Sequence, residues 1–132
     1  MKVLLPIVML MLLTGCSKRV DCAKNPTAPS CPEIPVARIQ GPTGPVNAGA
    51  PANFSGTSST PAQNKIARYR WTCGQPGISG CNAEGPSVTF RYVKEGKLGS
   101  QATYTVTLTI EDTRGNSNTA TATVNVVNVY GT

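Results

Sequence analysis

Five cysteines hold most of the reactive chemistry in this 132-residue chain: Cys16, Cys22, Cys31, Cys73 and Cys81. A cysteine sulfur can be acylated, oxidised to a disulfide or bound to a metal. Much of the usual catalytic set is missing. The chain has no histidine, which removes the commonest general base and the commonest metal ligand together. Ser-His-Asp and Cys-His nucleophilic sets are therefore impossible, as is any His-containing zinc site. The carboxylates downstream of the tail are Glu84, Glu95, Glu111 and Asp112. They show no pairing suited to acid–base catalysis. Glu111 and Asp112 are adjacent at a strand end and should point to opposite faces. No enzyme activity and no cofactor are expected. A hard-cation site needs six or more oxygens with several converging carboxylates, which these few acids do not supply.

The cysteines divide by context. Cys16 follows Leu13-Thr14-Gly15, and upstream lie one basic residue, Lys2, and an apolar run from Val3 to Leu13. That is the layout of a secretory signal, and the run is too short for the roughly 20 residues of a membrane-spanning helix. Leu13-Thr14-Gly15-Cys16 resembles the lipobox of bacterial lipoproteins. The resemblance implies that residues 1–15 are removed and that Cys16 carries diacylglycerol and an acylated amine. Two or more acyl chains hold firmly where one binds marginally. Ser17 follows in place of aspartate, which in a Gram-negative envelope resembles the outer-membrane pattern. The expectation is a domain anchored by lipid to the cell envelope, with the outer membrane as its site.

Cys22, Cys31, Cys73 and Cys81 form an even set, which in an exported chain reads as disulfides. Three connectivities are open. Closeness in sequence favours Cys22–Cys31 and Cys73–Cys81, and the competing arrangement staples the tail across to the domain. Neither couple has C-x-x-C spacing, so a four-thiolate metal site is poorly matched. Loss of the signal takes only Lys2 from the twelve basic residues, which still outnumber the six acids. A mildly basic surface suits anionic envelope neighbours. No basic run interleaved with aromatics occurs, so nucleic acid is not an expected partner.

Residues 16–35 read as a tether. Pro26, Pro29, Pro32 and Pro35 recur every three residues, and proline disfavours both helix and sheet ladders. From residue 36 to 129 the pattern is all-β. Val36–Ile39 is a short run closed by Gly41-Pro42, and Pro51–Phe54 a second between glycines. Ala67–Cys73 alternates Ala67, Tyr69, Trp71 and Cys73 with Arg68, Arg70 and Thr72; Ser87–Tyr92 follows, with Val88 and Phe90 alike in parity. The strongest alternation sets Tyr104, Val106, Leu108 and Ile110 against threonines, and Ala120, Ala122, Val124 and Val126 against Thr119, Thr121, Thr123 and Asn125. Period two means one buried and one wet face. Asp112-Thr113-Arg114-Gly115-Asn116 joins these two strands as a hairpin turn, with Asp112 capping it. Short strands between Gly/Pro turns predict an antiparallel β-sandwich. Trp71 and Tyr104 are assigned to its core.

Several of these segments, in this order, are similar to PKD-type immunoglobulin-like domains. The resemblance runs from about Pro35 to Val127. It is carried by Pro35-Val36-Ala37, Ala52-Asn53-Phe54-Ser55-Gly56, Ile66 through Trp71, Tyr104 through Ile110, and Glu111-Asp112 ahead of Gly115-Asn116. One departure stands out. Where such domains follow the tryptophan with an Asp-Phe-Gly-Asp-Gly-like turn, this chain has Thr72-Cys73-Gly74-Gln75-Pro76-Gly77. Both acids are gone, and a Cys73–Cys81 staple is a candidate replacement.

The resemblance implies a non-catalytic interaction or structural module that contacts other envelope proteins, such as parts of a secretion, conjugation or surface assembly. The alternative is a lipoprotein that binds a glycan or envelope polymer. Arg68, Arg70, Arg91 and Tyr92 are the candidate binding surface. Tyr92 and Tyr130 are the aromatics expected to be exposed among the seven in the chain.

Overall fold

Threonine-rich alternation dictates the architecture. β-Branched side chains fit a pleated surface, and period-two hydrophobicity gives each strand one face to bury. The computed structural model describes residues 34–61 and 65–131. The strands are β1 (Val46–Asn47), β2 (Pro51–Ser55), β3 (Ile66–Thr72), β4 (Asn82–Glu84), β5 (Ser87–Arg91), β6 (Gln101–Asp112) and β7 (Ser117–Val127). A five-stranded sheet runs β1-β7-β6-β3-β4, and β2 pairs with β5 in a second sheet. The fold is an all-β sandwich of immunoglobulin-like type.

β6 and β7 form the predicted hairpin, in register from Gln101↔Val127 to Glu111↔Ser117. Its turn is capped as expected. Asp112 Oδ1 accepts from the backbone N–H groups of Arg114 and Asn116, both at 2.9 Å, and Asp112 Oδ2 accepts from Asn116 Nδ2 at 2.9 Å. β3 pairs with β6 with a bulge between Ile66 and Arg68, which leaves Ala67 exposed.

The core takes Trp71, Val106, Leu108, Ile110, Val124 and Val126 from the large sheet and Ala52, Phe54 and Phe90 from the small one. A line of rings crosses between the sheets: Trp71–Phe54 at 6.4 Å, Phe54–Phe90 at 6.0 Å, Phe90–Tyr92 at 6.4 Å and Tyr92–Tyr104 stacked at 5.4 Å. Trp71 satisfies its indole by donating to the Gly85 carbonyl at 2.8 Å. Gly56 lets β2 leave the sheet close to these rings. A Cβ there would lie 2.8 Å from Leu108 Cδ2 and 3.2 Å from Trp71.

Two short strands, β1 and β4, were not legible as runs, and one predicted run is not a strand. Val36–Ile39 makes only isolated bridges around it, Val36↔Thr60 and Gln40↔Ser55. Side chains take the place of a ladder: Ala37 N–H donates to Asn118 Oδ1 at 3.0 Å and Arg38 N–H to Ser59 Oγ at 3.0 Å.

Candidate functional site

The predicted Cys73–Cys81 disulfide is present, with Cα atoms 4.8 Å apart. Cys16, Cys22 and Cys31, and with them the signal, the lipid site and most of the tether, lie outside the described residues. The staple closes a turn whose residues reach across the molecule. Gln75 Nε2 donates to the Val93 carbonyl at 2.7 Å, and Val93 N–H donates back to Gln75 Oε1 at 3.0 Å. This two-point clamp fixes the chain just after β5.

That segment forms one wall of a cleft of about 510 Å³, lined by Ala48, Gly49, residues 92–96, Asn128 and Tyr130. Three connections meet there: the β1–β2 turn, the β5–β6 loop and the chain leaving β7. Gly49 N–H donates to the Tyr92 carbonyl at 2.8 Å. Asn128 is buried and holds the other two together. Its backbone exchanges bonds with Gly99 and Ser100 at 2.8 Å, its Nδ2 donates to the Gly96 carbonyl at 2.6 Å, and its Oδ1 accepts from Tyr130 N–H at 3.0 Å. Asn128 carried no sequence signal, because a lone polar residue after a strand reads as loop.

The cleft is apolar with a basic rim. Val93 and Tyr130 line it and are exposed, Tyr130 by 69%, and Leu98 and Val129 are exposed on the segments that flank it. Lys94 lines it together with one acid, Glu95. Arg91 Nη1 donates to the Gly49 carbonyl at 2.8 Å, so its charge is held beside the cleft floor. A second groove of about 470 Å³, between Gln40-Gly41 and the β2–β5 pair, offers less. Its polar side chains bond each other, Thr89 to Asn53 at 2.8 Å and Ser87 to Ser55 at 3.2 Å.

The four residues assigned to a binding surface do not form one. Arg68 and Arg70 are on the outer face of β3 in the large sheet, and Arg91 is on β5 in the small one. Arg70 is paired with Glu111 at 2.6 Å across two neighbouring strands. An exposed pair of this kind contributes about 0–1 kcal/mol. Tyr92 is a correction: it is fully buried, not exposed. It continues the parity of Val88 and Phe90, so its ring enters the core and its hydroxyl donates to the Cys73 carbonyl at 3.1 Å. Burial pushes its pKa from 10.0 to about 12. Of the two tyrosines expected outside, only Tyr130 is. Among the described residues, no group of three or more His, Cys, Asp or Glu side chains is placed to hold a metal ion.

A two-sheet module of this topology, with its loops gathered into a cleft at one end, is an immunoglobulin-like β-sandwich. The chain belongs to the PKD domain family, whose model matches residues 32–126. It is similar to the PKD1 domain of the Vibrio cholerae metalloprotease PrtV, at 26% identity and TM-score 0.55, covering 72% of this chain and 99% of that one. The PKD1 domain of Vibrio anguillarum Epp shares the fold at 24% identity and TM-score 0.55, covering 74% and 98%. A chain from a structural study of carbohydrate-binding modules of the β-sandwich superfamily aligns at 25% identity and TM-score 0.63, covering 75% of this chain. Only 36% of that longer chain is spanned. No curated protein matches.

Proposed function

We propose that this protein is a non-catalytic, lipid-anchored module of the bacterial cell envelope that binds another envelope protein through the Tyr130 cleft. The observation that carries this reading is where apolar surface is left uncovered. Phe54, Trp71, Phe90 and Tyr92 are buried in the core, while Val93 and Tyr130 are exposed within the cleft and Leu98 and Val129 on the chain segments that flank it; Ile34 and Val36 are the other exposed large apolar side chains among the described residues. Exposed apolar side chains gathered in one place mark interaction sites. The described chain begins at the other end of the domain, where Ala37 bonds Asn118. Asn118 and Asn128 lie ten positions apart along and just past β7, about 33 Å at roughly 3.3 Å per residue. The basic rim suits a partner segment with acidic and apolar side chains.

The glycan reading keeps one supporting observation, the exposed Tyr130 ring, together with the likeness to carbohydrate-binding modules. A single ring is a small stacking platform, so the protein partner is preferred. Two experiments test the proposal. Radiolabelled palmitate is expected to enter the mature chain and to be lost in Cys16→Ala. Pulldown from detergent-solubilised envelopes is expected to recover a discrete protein that Tyr130→Ala with Leu98→Ser releases. Retention of envelope polymer with no protein, equally sensitive to Tyr130→Ala, supports the glycan reading instead.

A further inference from the structure

Among the described residues, most of the outer edge of β7 is open. β1 covers it only at Val126 and Val127. Ala48 N–H donates to the Val127 carbonyl at 2.8 Å, so the odd-numbered residues of β7 aim their backbone N–H and C=O groups away from β6. Thr119, Thr121 and Thr123 therefore present a row of hydrogen-bonding groups outward. Among the described residues, no strand pairs with this stretch.

Natural sheets protect such edges with charges, prolines, bulges or a covering element. β7 has no charged residue and no proline from Ser117 to Val127, and its pairing with β6 has no bulge. Its side chains are small: Thr119-Ala120-Thr121-Ala122-Thr123 reads the same in both directions. The midpoint of that palindrome is Thr121. The open edge runs from the hairpin turn at Ser117 to Asn125, beside the first β1 partner, and its midpoint is also Thr121.

We infer that two copies of this chain pair antiparallel through β7 edges, about a two-fold axis at Thr121. In this register Thr121 faces Thr121 of the second copy, Thr119 faces Thr123, and Ala120 faces Ala122. Each facing threonine couple is a hydrogen-bonded pair that exchanges two backbone bonds. Threonines stack with threonines on the outer face, and half-buried alanines meet on the inner face without bulk to clash. The interface is isologous and closes at two copies, and the two large sheets become one continuous sheet. The two chains enter from opposite ends of the pair.

The test is site-directed cross-linking of the full chain, in membranes under mild oxidation. Facing Cα atoms in a hydrogen-bonded pair lie about 5.5 Å apart, within disulfide reach. Thr121→Cys is expected to give a covalent dimer several-fold above the parent chain. Thr119→Cys alone is expected to stay at the parent level, because its own counterpart lies about 14 Å away. Mixing Thr119→Cys with Thr123→Cys should restore the link. Sedimentation of the otherwise unaltered chain should show a dimer population that Thr121→Lys reduces at least tenfold, by setting like charges face to face. A monomer at every concentration, no extra link from Thr121→Cys, or equal linking by Thr119→Cys alone would each overturn the inference.

Discussion

Removing the Cys73–Cys81 bond is the perturbation whose size follows most directly from the structure. The bond joins residues eight positions apart. In the chain-entropy model a loop of that length contributes about 2.5 kcal/mol by restricting the unfolded chain. A domain of this size loses about 4–8 °C of melting temperature per kcal/mol, so Cys73→Ala with Cys81→Ala is expected to melt about 10–20 °C lower. The loss of the fully buried Cys73 sulfur adds to that. The consequence reaches the cleft. Gln75 lies inside the stapled turn and holds Val93 by two bonds, so the Val93 amide should exchange with solvent faster in the double variant, while the amides of Val106 and Leu108 keep their rank as the slowest. Circular dichroism melting and hydrogen exchange report the two effects. A fall of less than about 3 °C, or unchanged exchange at Val93, would refute the reasoning that the staple replaces the missing acidic turn.

Gly74 and Gly77 share a φ of +77°, but a Cβ on Gly74 would lie 2.1 Å from the Thr105 carbonyl oxygen, whereas Gly77 has nothing within 4 Å; Gly74→Ala should therefore cost several kcal/mol and Gly77→Ala about 1 kcal/mol in chemical denaturation. Asp112→Ala removes three bonds from the hairpin turn and is expected to cost about 1–3 kcal/mol, measured in the same way. Tyr92 holds its proton more tightly folded than unfolded, so the stability this contributes is complete below pH 10 and drains away as pH rises toward about 12. Tyr92→Phe should remove the latest step in the ultraviolet titration of the phenols and flatten the fall in stability over that window.

Where the pattern was strong, sequence led to structure directly. Val106, Leu108 and Ile110 on β6 and Val124 and Val126 on β7 are buried on the predicted face, because alternation over eleven or twelve residues leaves a single register that buries them. Asp112 was legible because a capping carboxylate acts within four residues of itself. The misses share a different cause. Tyr92 was placed outside because it ends a strand, although counting in twos from Val88 and Phe90 puts it inside. Val36–Ile39 had strand composition, but its N–H groups found Asn118 and Ser59, partners 81 and 21 residues away. β1 has two residues and β4 three, too few to show a period. The cleft depends on Asn128, whose five hydrogen-bonding partners come from the β5–β6 loop and the following chain, a meeting that no local pattern encodes.

The proposed function places the partner of a lipid-held PKD sandwich at the Tyr130 end. The most direct measurement is photocross-linking in living cells, with a photoreactive amino acid placed at Tyr130 and, as the control at the other end, at Thr113. A discrete adduct to another envelope protein from position 130, absent from position 113 and lost when Cys16→Ala releases the chain, is the expected result. Equal adducts from both positions, or none from position 130 in correctly anchored protein, would contradict it.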